Sequence, residues 1–189
     1  MRMRIPFLAT LIFLTLSSAA QRAIDPAHST LTVRAYKSGL FSGFAHDHEV
    51  SALISSGEVN DSAGNAGVRL KIDARQLKVR DPKLEEDKRA EVQKTMHSEK
   101  VLDSARFPVI EFVSTKVQPN GQDKWTVNGD LTLHGETHPV TLDVTRQNGH
   151  YLGSATFKQT QFGITPVSIG GGTVKVKDEV KIEFDIVAK

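Results

Sequence analysis

From Phe107 to Val144 the chain alternates apolar and polar positions in three runs, separated by two clusters of turn-forming residues. In the first run Ile110 and Phe112 fall on one face of an extended chain while Glu111 and Val113 fall on the other, because successive strand side chains point oppositely. The second sets Trp125, Val127, Gly129, Leu131 and Leu133 against Thr126, Asn128, Asp130, Thr132 and His134. The third sets Val140, Leu142 and Val144 against Thr141, Asp143 and Thr145. The pattern predicts three half-buried strands in an antiparallel meander. Its turns fall at Pro119-Asn120-Gly121 and over the six residues His134-Gly135-Glu136-Thr137-His138-Pro139.

The same period recurs on both sides. A first strand is expected over His28 to Tyr36, a kink at Gly39 and Gly43, and a strand from about Phe44 to Leu53. Ser55 to Val59 reads as a short strand, Asn60 to Asn65 as a loop, and Val68 to Ile72 as another strand. After the meander, a hairpin at Gln147-Asn148-Gly149-His150 leads into Tyr151, Gly153, Ala155 and Phe157. Val180, Ile182, Phe184 and Ile186 form the clearest alternation of all. The glycine-rich connection from Gln159 to Thr173 cannot be ordinary strand, and its length marks it as functional, expected to rim or gate a cavity.

One stretch has helical spacing. Asp81-Pro82 offers an N-cap and a first helical residue, and Leu84, Lys88, Val92 and Met96 form a stripe at spacing four. Ser98 is placed to cap a second short turn before Pro108, with Val101 and Leu102 as its apolar contacts. Seven or eight antiparallel strands with one helical insertion make an all-β fold. At that number a closed barrel either fills with side chains or holds one small ligand.

The first twenty residues stand apart. Arg2 and Arg4, the apolar run Ile5 to Leu16, and Ser18-Ala19-Ala20 read as a signal peptide over residues 1–20, with a mature chain starting near Gln21 and forming one domain over 21–189. No later run is long enough for a membrane helix, so no transmembrane segment is expected. Without Arg2 and Arg4, the 24 Lys plus Arg fall to the number of Asp plus Glu, 22. Acidic and basic residues are interspersed, which argues against a nucleic-acid partner. An exported chain without cysteine has no disulfides and must rest on its core.

Candidate chemistry is sparse. His46-Asp47-His48 is the most conspicuous polar cluster, and on a strand its two imidazoles share a face. That arrangement permits metal coordination, with a third ligand from His97, His134, His138 or His150 that no spacing selects. It equally permits hydrogen-bonded histidines at a barrel mouth, and this is the expectation: His46 and His48 tune the mouth without being metal ligands. His134 and His138 read as turn residues. Gly170-Gly171-Gly172 precedes no helix and so lacks the geometry of a phosphate cradle. No catalytic triad is apparent.

The run Lys100-Val101-Leu102-Asp103-Ser104-Ala105-Arg106-Phe107-Pro108-Val109-Ile110-Glu111-Phe112, followed by Asn128 to Val140, resembles the YceI-like family of bacterial exported lipid-binding proteins. The early His28-Ser29, the helix before this run, the late Phe162-Gly163-Ile164 and the final strand fit the same order, so the resemblance covers nearly all of the mature chain. It implies a lipocalin-like antiparallel barrel, interrupted by helix, whose apolar interior holds a polyisoprenoid chain such as that of a quinone or polyprenyl lipid. Where many members carry a histidine in the first strand, Lys37 stands here.

The reading is therefore a periplasmic, non-enzymatic carrier of an apolar isoprenoid lipid, with no cofactor other than that lipid. Phe112, Trp125, Leu131, Leu142, Ile182 and Phe184 are the expected ligand-binding residues, with His46 and His48 at the mouth. Gly129 and Ala155 fall on the same inner face, where a larger residue would narrow the cavity. Two rivals stay open: a metal-binding protein or metal-dependent enzyme built on His46 and His48, and an interaction module whose barrel is filled. Transient membrane contact, the oligomeric state and the identity of the lipid stay open as well.

Overall fold

The computed structural model describes residues 21–39, 47–62 and 64–189. The signal peptide expected over 1–20, His46, and the first residues of the strand expected from Phe44 lie outside the described residues. The strands are β1 (Arg22–Ala23), β2 (Thr30–Ser38), β3 (His48–Ser51), β4 (Ile54–Asn60), β5 (Gly67–Asp73), β6 (Lys78–Val79), β7 (Val109–Pro119), β8 (Lys124–Leu133), β9 (Glu136–Gln147), β10 (His150–Lys158), β11 (Ser168–Ile169) and β12 (Val174–Val187). Among the described residues one α-helix, α1 (Glu86–His97), interrupts them.

The strands form a single antiparallel sheet in the order β1-β4-β5-β7-β8-β9-β10-β12-β2-β3-β6, with β11 alongside β12. The N-terminal residues close it into a ring. Arg22 and Ala23 pair with Val59 and Glu58 of β4 on one side, while Ile24 bridges Ala188 just beyond β12 on the other. The seam is fixed by main-chain bonds from Asp25 to Val187 (2.7 Å) and from Lys189 to Ala23 (2.8 Å). Lys189 also sets its ammonium 3.2 Å from the carboxylate of Asp25. β1 with β2, β3 with β4, and β5 with β6 run on as bent staves. The lipocalin-like antiparallel barrel with a helical insertion is therefore the fold, built of about eight staves.

Three local expectations are corrected. The six-residue turn from His134 to Pro139 is a two-residue hairpin: Leu133 pairs with Glu136, and His134 and Gly135 both take positive φ (53° and 81°), the twist that suits a tight β-hairpin. β9 therefore starts at Glu136 and contains Pro139, opposite Asp130. Proline is tolerated there because the β9–β10 ladder ends at Leu142 and Ala155, so its missing N–H breaks no bond in that ladder.

The helix starts at Glu86, not at Asp81-Pro82. Asp81 does not cap it, because one carboxylate oxygen lies 2.6 Å from His48 Nδ1 and the other accepts the Glu49 amide at 2.6 Å. Lys88 leaves the proposed stripe, exposed and paired with Glu91, while Val92 and Met96 turn inward. Gln93 docks the helix on the sheet by accepting the Val79 amide (2.7 Å) and donating to the Leu77 carbonyl (2.8 Å).

The connection after β10 is also more ordered than its glycines suggest. Gln159–Phe162 forms a 3-10 turn closed by Gly163 at φ 68°, and Phe162 is fully buried against Phe157 and His138. A bulge in β12 between Val176 and Val180 receives this turn. There Gln159 donates to the Lys177 carbonyl (2.8 Å) and the Thr160 amide to Asp178 (2.9 Å).

Candidate functional site

The barrel encloses a cavity of about 280 Å³. Its wall is made of the inward positions of every stave, among them Val33, Leu70, Val127 and Ile186. Asn60, Asp61 and Gln159 are the only amide or acid side chains in that lining among the described residues, with Tyr151 and Trp125 adding a hydroxyl and an indole N–H. Trp125 and Leu133 lie at the two ends of β8 and both touch the space. Eight strand rises separate them, about 27 Å along the strand, or about 20 Å along the axis of a barrel of ordinary tilt. A modest volume spread over such a length is a slot.

All six apolar side chains expected at the ligand line this slot: Phe112, Trp125, Leu131, Leu142, Ile182 and Phe184. Ala155 lines it too. Gly129 does not contribute open space, because the ring of Phe112 lies over it. His48 is opposite Ala35 in the register, on the inward side, but is not among the described lining residues. It is held by Asp81, whose side chain is 4% exposed. His46 lies outside the described residues. Among the described residues no three His, Cys, Asp or Glu are grouped to hold a metal ion.

The two ends differ. At one, Met96, Val101 and Leu102 from the helix and the turns after it, with Ile164 beyond Phe162, lie across the barrel. Of the glycine-rich connection, Gln159 and Ile164 line this space. No helix among the described residues is long and apolar enough to cross a membrane.

The other end carries a charged cluster that pattern reading missed. Asp61, in the β4–β5 loop, accepts at one oxygen from Arg22 (3.0 Å), Arg146 (3.0 Å) and the Tyr151 hydroxyl (2.8 Å). Arg22 also donates to the Tyr151 hydroxyl. Arg146 reaches Asp123 with Nε (3.0 Å) and Nη2 (2.7 Å). The Arg22 guanidinium stands 5.7 Å from the centre of the Tyr151 ring, and that of Arg146 stands 5.8 Å from the centre of Trp125. The two rings are 6.4 Å apart and tilted by 50°.

These contacts set the charge states. The Tyr151 hydrogen bond, helped by Arg22 and Arg146, holds the Asp61 carboxyl below its ordinary range in spite of partial burial. Burial, then the bond to Asp61, pushes the Tyr151 phenol up, so it stays a donor. The cluster comes from residues 22, 61, 123, 146 and 151, and no spacing in the sequence links them. The one signal available was that Asp61 lies within a predicted loop, Asp123 and Arg146 lie within two residues of predicted turns, and Arg22 lies beside the expected mature N-terminus.

A model of the YceI-like domain matches residues 23–188. A "UPF0312 protein" of Shewanella denitrificans is 34% identical over 104 residues, 50% of this chain and 54% of the relative. Another, from Pseudomonas savastanoi pv. phaseolicola, is 34% identical over 111 residues, 53% of this chain and 55% of the relative. These matches span about half the length of the curated relatives. The crystal structure of Burkholderia cenocepacia BcnA superposes with a TM-score of 0.69 at 24% identity, covering 88% of this chain and 99% of that one. At that identity the likeness speaks for the fold.

Proposed function

We propose, from the premise that the chain belongs to the YceI-like domain family, that it is an exported binding protein whose slot takes the hydrocarbon chain of an isoprenoid lipid. The observation that carries the reading is the shape and chemistry of the cavity, long, narrow and apolar, with polar side chains gathered towards its ends. Such a space favours a chain over a compact ligand. Each methylene moved from water contributes about 0.8 kcal/mol, so ten contribute roughly 8 kcal/mol. Association and ordering cost several kcal/mol, so a long chain is retained and a short one is released.

Among the described residues, the cavity lining is almost wholly apolar, which suits a carrier of an apolar chain. The apolar run followed by Ser18-Ala19-Ala20 supports export to the periplasm. The test is to purify the native protein gently, extract it into organic solvent, and identify what leaves by mass spectrometry with a metal assay on the same sample. One isoprenoid per chain is the expected result. A barrel that yields no lipid over repeated preparations overturns the reading, and a stoichiometric metal ion in its place favours the histidine rival.

A further inference from the structure

Part of the barrel wall is closed without a strand ladder. The β5–β6 stave parts from β7 after Asp73 pairs with Val109, and the Ala74 amide donates there to the Pro108 carbonyl (2.8 Å). Beyond that bond β6 pairs with β3, and its other edge is taken by the side chain of Gln93, so α1 fills the gap. Leu77, Met96, Val101 and Leu102 line the cavity behind this join.

The outer face beside the join carries an unusual surface. Leu53 (51% exposed) and Val109 (52% exposed) are the two large apolar residues left exposed among the described residues. Ile54 pairs with Ile72, so Leu53 comes level with Asp73, which lies opposite Val109. Two strand spacings, about 10 Å, separate the two apolar side chains. Arg75, Lys78 and Arg80 are exposed around them. Lys78 lies opposite Ser51, two residues from Leu53, and Arg80 Nε donates to the Ser51 hydroxyl (2.9 Å). Arg75 is paired with Asp73 (2.7 Å) and Lys71 with Glu111 (3.6 Å), whereas neither Lys78 nor Arg80 has an acidic partner among the described residues. The face is net basic around two apolar points.

Resting on the lipid reading above for its purpose, we propose that this face docks on a bilayer surface containing anionic lipid. Exposed leucine and valine gain by entering the interfacial layer, and unpaired lysine and arginine gain from its negative potential. Two apolar side chains about 10 Å apart, with an ion pair between them, suit a fluid surface better than a shaped protein pocket. Docking there would bring α1, the part of the wall held by side chains, to the membrane with which an apolar cargo must exchange.

The chain has no cysteine, so a single one can be introduced and labelled with a polarity-sensitive fluorophore. Leu53→Cys and Val109→Cys report on the face, and Thr156→Cys, exposed on β10 across the barrel, is the control. The labelled proteins are mixed with vesicles of phosphatidylcholine, alone or with phosphatidylglycerol added. The labels at 53 and 109 are expected to brighten and shift to the blue on the anionic vesicles, with the label at 156 unchanged. Binding of the unlabelled protein, read by flotation, should weaken as salt rises. Lys78→Gln and Arg80→Gln should each weaken it about fivefold and Leu53→Ser several-fold, with thermal unfolding unchanged.

An equal response at all three labels, equal binding to both kinds of vesicle, or charge variants that bind like the parent would overturn the inference. So would a lack of binding to either vesicle, which would leave the face to an acidic protein. The lipid reading is judged separately by extraction. A protein that yields its isoprenoid but ignores vesicles loses only the docking, and one that docks but yields no lipid loses only the cargo.

Discussion

The ring of Phe112 covers Gly129 on the neighbouring strand so closely that a β-carbon there would stand 2.6 Å from Phe112 Cε2 and 2.6 Å from the Val113 carbonyl. The same device recurs where Phe184 lies over Gly153, whose β-carbon would meet Phe184 Cζ at 2.5 Å. Both glycines keep an aromatic ring flat against the barrel wall. Gly129→Ala and Gly153→Ala are therefore expected to cost about 1 to 3 kcal/mol each, through a clash that includes backbone and cannot be relieved by a rotamer change alone. Denaturant unfolding of each variant checks it, and an unchanged midpoint would mean that the rings lift away freely.

This contact also redirects the attempt to narrow the slot. A larger residue at Gly129 would strain the wall without filling open space. Ala155 is the better position, since it lines the cavity opposite Ile182 and Leu142. Ala155→Leu should keep a folded barrel and reduce bound lipid several-fold, measured as lipid per chain after extraction.

The bond between His48 and Asp81 gives the histidine a structural role beside the one expected at the mouth. Asp81 is buried and ties β3 to the segment before α1, so His48→Ala leaves one of its carboxylate oxygens without a partner. The expected loss is about 1 to 3 kcal/mol of stability. A variant with unchanged thermal stability would show that water replaces the imidazole at no cost.

Acid should weaken the barrel through its paired carboxylates. Glu183, held by Lys181 and then Arg34, titrates at about 2 in place of 4.5. Asp25, at the ring-closing seam, is lowered to about 2 by His28 and Lys189. A depressed folded-state value means that the unfolded chain takes up its proton first as the pH falls. The stabilisation is complete above about pH 4.5 and is lost progressively towards pH 2. Melting temperatures across that window should fall, and Glu183→Gln should flatten the slope; a slope identical to the parent's would remove Glu183 from the account.

Alternation along the chain determined the strands, and with them the inward faces of β7, β8, β9, β10 and β12, because a side-chain period of two is a property of each strand alone. The Asn148-Gly149 hairpin was legible for the same reason: its positive φ values are a local demand met by those two residues. The helix was legible in kind and wrong in its start, since Asp81 had a local use as a cap and a long-range use opposite His48, and burial favoured the second. Ring closure through Ile24 and Ala188, and the meeting of Arg22, Asp61, Asp123, Arg146 and Tyr151, were decided only in three dimensions. They depend on which stave lies beside which and in what register, and the period of any one strand carries no information about that.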